Sequence, residues 1–271
     1  MPRIGWLMVG VVLTAALSVA ALAPAKGIKI SERSDDFTLA PLGEGEADCG
    51  AKRAVSGGFF GEFDPPAQTS LPFISTREGE SEWRFRAGNL GMDPADATAY
   101  VYCAKKNRFP KLRQASEDET ADPGELESVT AECPGSRRAV SGGFEFPDSI
   151  SIVTRSMRSG KGSWTVDVLS AAGTIEVEAF AYCAKNIKLK ARSAETTLSG
   201  GAAETEQARC KRKERVVSGG FDTDSDGTTT VGIGTASRRA GKRAWEVTAS
   251  ANSDPQELTA YAYCLKQPKK N

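Results

Sequence analysis

Three serines stand beside paired glycines, and a serine so placed is the first residue type here that could do chemistry. Ser56, Ser141 and Ser218 each sit in Arg-x-Val-Ser-Gly-Gly-Phe, at 53–59, 138–144 and 215–221. A hydrolase presents its nucleophile as Gly-x-Ser-x-Gly on a strand-to-helix turn, an order these segments do not have. The chain contains no histidine. A Ser–His arrangement is therefore impossible, and only a Ser–Lys variant is left. The structural reading is favoured: the glycines let a neighbouring backbone or ring approach a strand closely.

A second set is cationic. Arg77, Arg158 and Arg239 each lie six residues before a tryptophan in Ser-x-Arg-x-Gly-x-x-x-Trp, at 75–83, 156–164 and 237–245. A guanidinium fork can clamp a ligand carboxylate or phosphate. It can equally stack on its own tryptophan and bond strand carbonyls across the hairpin, and that role is favoured. Trp83, Trp164 and Trp245 alternate with apolar residues and read as core. Tyr102, Tyr182 and Tyr263 close each unit and, with the arginines, are the candidate glycan contacts. One copy alone carries Asp222-Thr-Asp224-Ser-Asp226-Gly227, the way a calcium loop begins. Ile233 occupies the position of the closing bidentate acid. A polar hairpin loop is the preferred reading, and weak Ca²⁺ binding is the only cofactor suggestion.

These residues recur because the chain is written three times, and repetition decides architecture before local signals do. Six cysteines, two per copy, imply Cys49–Cys103, Cys133–Cys183 and Cys210–Cys264. The strand leaving the first cysteine and the strand entering the second meet if they are antiparallel neighbours. With no C-x-x-C and no histidine, disulfides fit better than a metal site. On the chain-entropy estimate each loop closure stabilises its unit by roughly 4 kcal/mol.

The first 25 residues read as a signal peptide: Arg3, an apolar run, then Ala21-Leu22-Ala23-Pro24-Ala25, with cleavage expected after Ala25. An uncleaved anchor is the alternative, since the run approaches the roughly 20 residues that span a bilayer. Either way the remainder is expected outside the cytoplasm. Lys+Arg and Asp+Glu balance at 35 each, and no basic face for nucleic acid is evident.

The copies divide at 26–107, 108–186 and 187–271. Trp164-Thr-Val-Asp-Val alternates strictly, and Gly79, Gly160 and Gly241 fall where hairpins need positive φ. The class is all-β, with five to seven short antiparallel strands per copy. The segments between cysteine pairs open with short alternating runs that read as edge strands. Their acidic parts, 116–127 and 195–206, read as mobile loops. Two assemblies fit: tandem small β-sandwiches, or three sheets around a pseudo-threefold axis as in a β-prism. The edge strands favour the tandem arrangement.

The Cys…Val-Ser-Gly-Gly-Phe…Trp…Ala-Tyr-Cys unit resembles a repeat of secreted bacterial proteins, which implies a fold but no catalytic residues. Repeat number, glycine-aromatic strands and secretion also resemble the vitelline-membrane outer layer proteins, which implies the prism. The expected function is a secreted, non-enzymatic binding or structural module of the extracellular space or cell envelope, with glycan as the expected ligand class. The alternative is a secreted hydrolase with a loop site. Every prominent residue recurs threefold, whereas an enzyme needs one differentiated set in one cleft.

Overall fold

The computed structural model describes residues 27–61, 70–89, 91, 93–147, 151–200, 202–225, 232–251 and 255–268. The signal segment and Asp226 lie outside the described residues. Within them the chain is all-β, with six strands per copy. The first copy forms β1 (Ile30–Leu39), β2 (Leu42–Asp48), β3 (Arg53–Gly61), β4 (Ser70–Thr76), β5 (Glu82–Asn89) and β6 (Ala95–Ala104). The second forms β7 (Arg113–Ala121), β8 (Leu126–Glu132), β9 (Arg138–Glu145), β10 (Ser151–Met157), β11 (Ser163–Ser170) and β12 (Ile175–Ala184). The third forms β13 (Leu189–Leu198), β14 (Ala203–Arg209), β15 (Glu214–Asp222), β16 (Gly232–Ala240), β17 (Ala244–Ala251) and β18 (Gln256–Lys266).

The strands make three six-stranded sheets, and none of them belongs to one copy. The first sheet runs β1-β6-β3-β16-β17-β14, the second β2-β5-β4-β9-β12-β7, and the third β13-β18-β15-β10-β11-β8. Each copy bends round a corner, giving half its strands to one sheet and half to the next. The favoured arrangement of tandem sandwiches is therefore corrected in favour of the three-sheet alternative. Edge strands do flank each copy, but they close the corners between sheets, where β1 packs on β2, β7 on β8 and β13 on β14.

The acidic segments are corrected likewise, since residues 116–127 and 195–206 fall mostly in β7, β8, β13 and β14. Along β7 the side chains of 117–120 are exposed. A corner strand has too little covered surface for its apolar alternation to show.

Each disulfide lies within its copy: Cys49–Cys103, Cys133–Cys183 and Cys210–Cys264, with no free cysteine. The strands following the first cysteines (β3, β9, β15) pair antiparallel with β6, β12 and β18. Gly79, Gly160 and Gly241 have φ of 55°, 75° and 75°, which an L side chain rarely adopts.

The seams between copies are short. Among the described residues two ladder pairs join β3 to β16 (Phe60–Ala236, Phe59–Ser237), and likewise β4 to β9 (Ile74–Glu145, Ser75–Phe144) and β10 to β15 (Arg155–Asp222, Ser156–Phe221), with one more backbone bond at each of the last two, Phe146 N to Phe73 O and Thr223 N to Thr154 O. The paired glycines make these junctions. A Cβ on Gly57, Gly142 or Gly219 would overlap the indole of Trp83, Trp164 or Trp245, while one on Gly58, Gly143 or Gly220 would strike the main-chain oxygen of Ser237, Ser75 or Ser156 across the seam. The first glycine of each pair seats a ring, and the second admits the next copy. Around the resulting axis, the Gly-Gly-Phe segments, three tryptophans and Ser75, Ser156 and Ser237 line a cavity of about 30 Å³. That volume holds about one water.

Candidate functional site

The three serines close the molecule. Ser56 Oγ donates to Val217 O at 2.6 Å, Ser141 Oγ to Val55 O at 2.7 Å, and Ser218 Oγ to Val140 O. Each bond runs from one copy's Val-Ser-Gly-Gly-Phe to another's, so the three make a closed cycle. All three serines are buried. Their hydroxyls satisfy buried carbonyls, as an interior polar group must.

The tyrosines are corrected as glycan contacts. Tyr102, Tyr182 and Tyr263 are 0%, 0% and 1% exposed, so their rings cannot receive a sugar. Each hydroxyl accepts the backbone N–H of an arginine in another copy: Arg239 to Tyr102, Arg77 to Tyr182 and Arg158 to Tyr263, all at 2.7 Å. The same arginines lay their guanidinium carbons 5.2, 4.8 and 4.6 Å from those ring centroids. On the other side each ring meets a tryptophan edge-on, Trp83 with Tyr182, Trp164 with Tyr263 and Trp245 with Tyr102, at 5.4–5.7 Å. The indole N–H groups donate to Ser75, Ser156 and Ser237. The stacking role expected of the arginines is present, but the ring belongs to the neighbouring copy and is tyrosine rather than tryptophan. Burial lowers the pKa of all three arginines. Each nevertheless retains one buried guanidinium nitrogen without a hydrogen-bond partner: Nε of Arg77 and Arg158, Nη1 of Arg239.

Of the calcium-loop candidates, Asp222 and Asp224 are described, and Asp222 is engaged within the protein. Its Oδ2 receives Arg155 Nε at 2.8 Å across a seam, and its Oδ1 caps Asp224 N at 3.0 Å. Asp224 is a turn residue with φ 48°. No group of three His, Cys, Asp or Glu poised for a metal occurs among the described residues.

Away from the axis the copies diverge, and the repeats gave no signal for the residues involved. One arginine pins each seam, from three non-equivalent positions. Arg84 pairs with Glu145 at 3.0 Å and Arg155 with Asp222, while Arg238 lies 4.4 Å from the Phe60 centroid and donates to Tyr100 Oη at 3.0 Å. Beside Phe60, on the first sheet, is a groove of about 390 Å³ lined by Asp36, Asp96, Thr98 and Phe60. The corresponding groove on the second sheet, about 450 Å³, is lined instead by Arg86, Glu145, Glu176 and Glu178. Cross-strand pairing sets both in register, as Asp36–Thr98–Phe60 and Asp118–Glu178–Glu145.

Neither a family model nor a curated protein matches the chain. Three disulfides fit an oxidising, extracellular setting, and no helix among the described residues is long and apolar enough to cross a membrane.

Proposed function

We propose that the protein is a non-enzymatic binding module of the extracellular space or cell envelope, with glycan as its ligand class. The observation that carries the reading is the groove on the first sheet. It sets an aromatic ring, Phe60, beside two exposed carboxylates, Asp36 and Asp96, and the Thr98 hydroxyl. A sugar offers an apolar ring face to an aromatic side chain and hydroxyl donors to carboxylates, so this mixture suits it. The residues that recur threefold support a non-enzymatic role, because each is occupied in closing the fold. Rigid closure by three shared sheets and three disulfides is an economical way to hold differentiated faces still.

A glycan array probed with residues 26–271, folded under oxidising conditions, tests the reading. Binding to a neutral glycan that Phe60→Ala and Asp96→Asn each weaken about tenfold, with unchanged thermal stability, is the expected result. Turnover of any glycoside or ester substrate by the same preparation would replace it with the hydrolase alternative.

A further inference from the structure

Lysines plus arginines balance the acids at 35 each over the whole chain, yet the connections between strands divide the charges by end. Every ladder pairs an odd-numbered strand with an even-numbered one, antiparallel. The eight connections that lead from an even to an odd strand therefore lie at one end of the body. The nine that lead from an odd to an even strand leave from the other. The first set holds sixteen lysines and arginines against two acids, Glu78 and Glu80. The second set contains no lysine or arginine, and its described acids are Asp93, Asp122, Glu125 and Asp224.

The basic end is a built surface. The 105–112 link carries four of the cations and the 210–213 turn three, Lys211, Arg212 and Lys213. Twelve of the sixteen are exposed. Both acids are engaged locally, Glu78 with Arg84 at 3.2 Å and Glu80 with Lys106 and Lys111 at 3.5 Å. Main-chain bonds fix neighbouring segments to one another, Cys210 N to Arg243 O at 2.7 Å and Gln267 N to Lys213 O at 2.9 Å. Like charges held on one fixed face repel each other, and a surface of opposite charge relieves that repulsion.

Both described ends of the chain also lie here. Gly27 abuts Gln267, close enough that a Cβ would come 2.9 Å from Gln267 Oε1. The apolar run at 4–23, outside the described residues, stands three residues ahead of Gly27. The chain therefore passes from an apolar, bilayer-compatible segment directly into its most cationic face. Basic clusters next to such a segment are drawn to anionic headgroups.

We propose that the basic end docks on an anionic lipid surface, with headgroup phosphates as the partner chemistry. The proposal does not rest on the glycan reading but gives it an orientation. Asp36, Thr98 and Phe60 lie in register in the half of the first sheet towards the other end, so a docked molecule turns that groove away from the bilayer.

Cosedimentation of residues 26–271 with vesicles tests this, using phosphatidylcholine alone and phosphatidylcholine mixed with phosphatidylglycerol. Wild type should bind the mixed vesicles, weaken as salt rises, and leave phosphatidylcholine vesicles unbound. Lys211→Glu/Arg212→Glu/Lys213→Glu should weaken binding by about tenfold or more, since each cation near the surface contributes separately. Lys185→Glu/Lys188→Glu reverses exposed charges in a different connection and should also weaken it, which guards against a folding defect in the first variant. Melting temperatures should match wild type. Asp122→Lys/Glu125→Lys, at the far end, should leave binding unchanged. Equal binding to both vesicle types, or undiminished binding by both basic-end variants, overturns the proposal. Salt-sensitive self-association without vesicle binding would instead seat the basic end on the acidic end of a second copy. Capture by a soluble sulfated polysaccharide without vesicle binding would make the partner a polymer, and either result overturns lipid docking. Neutral-glycan binding on the array would survive all of these failures.

Discussion

The hydroxyl of Tyr182 accepts the backbone N–H of Arg77 at 2.7 Å, and the two residues belong to different copies, 105 positions apart. The same hydroxyl lies 2.8 Å from Thr76 Oγ1. The β4–β9 ladder ends after two pairs, and the tyrosine takes the place that a strand carbonyl would otherwise fill. Side-chain hydroxyls thus lengthen each seam beyond what the backbone can pair.

Tyr182→Phe should therefore destabilise the whole protein rather than one third of it. Removing a buried hydroxyl that serves two partners costs about 1–3 kcal/mol. Denaturant titration should show a lower midpoint with an unchanged slope. A loss under about 0.5 kcal/mol would mean that the seam does not rely on this bond.

Trp164→Ala tests whether the copies unfold together. Emptying an indole's site costs about 3–5 kcal/mol. Trp164 serves its own copy through Ser156 and Gly142 and the third copy through Tyr263. Because every sheet is shared, Trp83 and Trp245 fluorescence should report one transition at a lower midpoint. Two separated transitions would show that the copies are energetically independent despite the shared sheets.

Relations inside a copy were legible in the sequence, and relations between copies were not. The pairing of Cys133 with Cys183, the hairpin at Gly160 and the buried Trp164 all follow from spacing within one unit. Which copy's Tyr meets Arg77 does not follow, because three near-identical units offer the same partner three times. Only the chain's route round each corner decides it, and that depends on how β1 and β2 divide between sheets. The seam arginines were hidden for another reason. Arg84, Arg155 and Arg238 do the same work from unmatched positions, so a search for recurring residues passes over them. The grooves are built by cross-strand rows such as Asp36–Thr98–Phe60, which join residues remote in sequence through register alone.

Gly142→Ala should be more severe than most glycine substitutions in strands. A Cβ there overlaps the Trp164 indole, and the ring cannot retreat because its N–H is held by Ser156 at 3.1 Å. Overpacking usually costs 1–3 kcal/mol, and a steric conflict with a pinned ring places this variant at about 3 kcal/mol or more. The double variant Gly142→Ala/Trp164→Ala should recover part of that loss, since the second change removes the clash. Additive losses in this cycle would refute the seating of the ring on the glycine.

The three buried tyrosines also make stability fall at alkaline pH. Burial pushes the Tyr182 phenol up to about 12, with its bonds to Thr76 and Arg77 partly opposing the shift. Burial drives Tyr102 and Tyr263 upward as well. In the unfolded chain a tyrosine loses its proton near pH 10. Above that pH the folded state holds protons that the unfolded state has released, so each phenol's contribution is fully present below about pH 10. It is lost as pH rises towards the folded value, at up to about 1.4 kcal/mol per pH unit for each tyrosine. Three together give a slope of roughly 4 kcal/mol per unit, and a stability of about 5–15 kcal/mol is exhausted within a few units. Phenolate absorbance near 295 nm should therefore rise cooperatively with loss of near-ultraviolet dichroism, above pH 11. Tyr182→Phe should reduce the slope of stability against pH by about one third. Smooth ionisation of every tyrosine near pH 10 with the fold intact would show that these hydroxyls are not sealed between the copies.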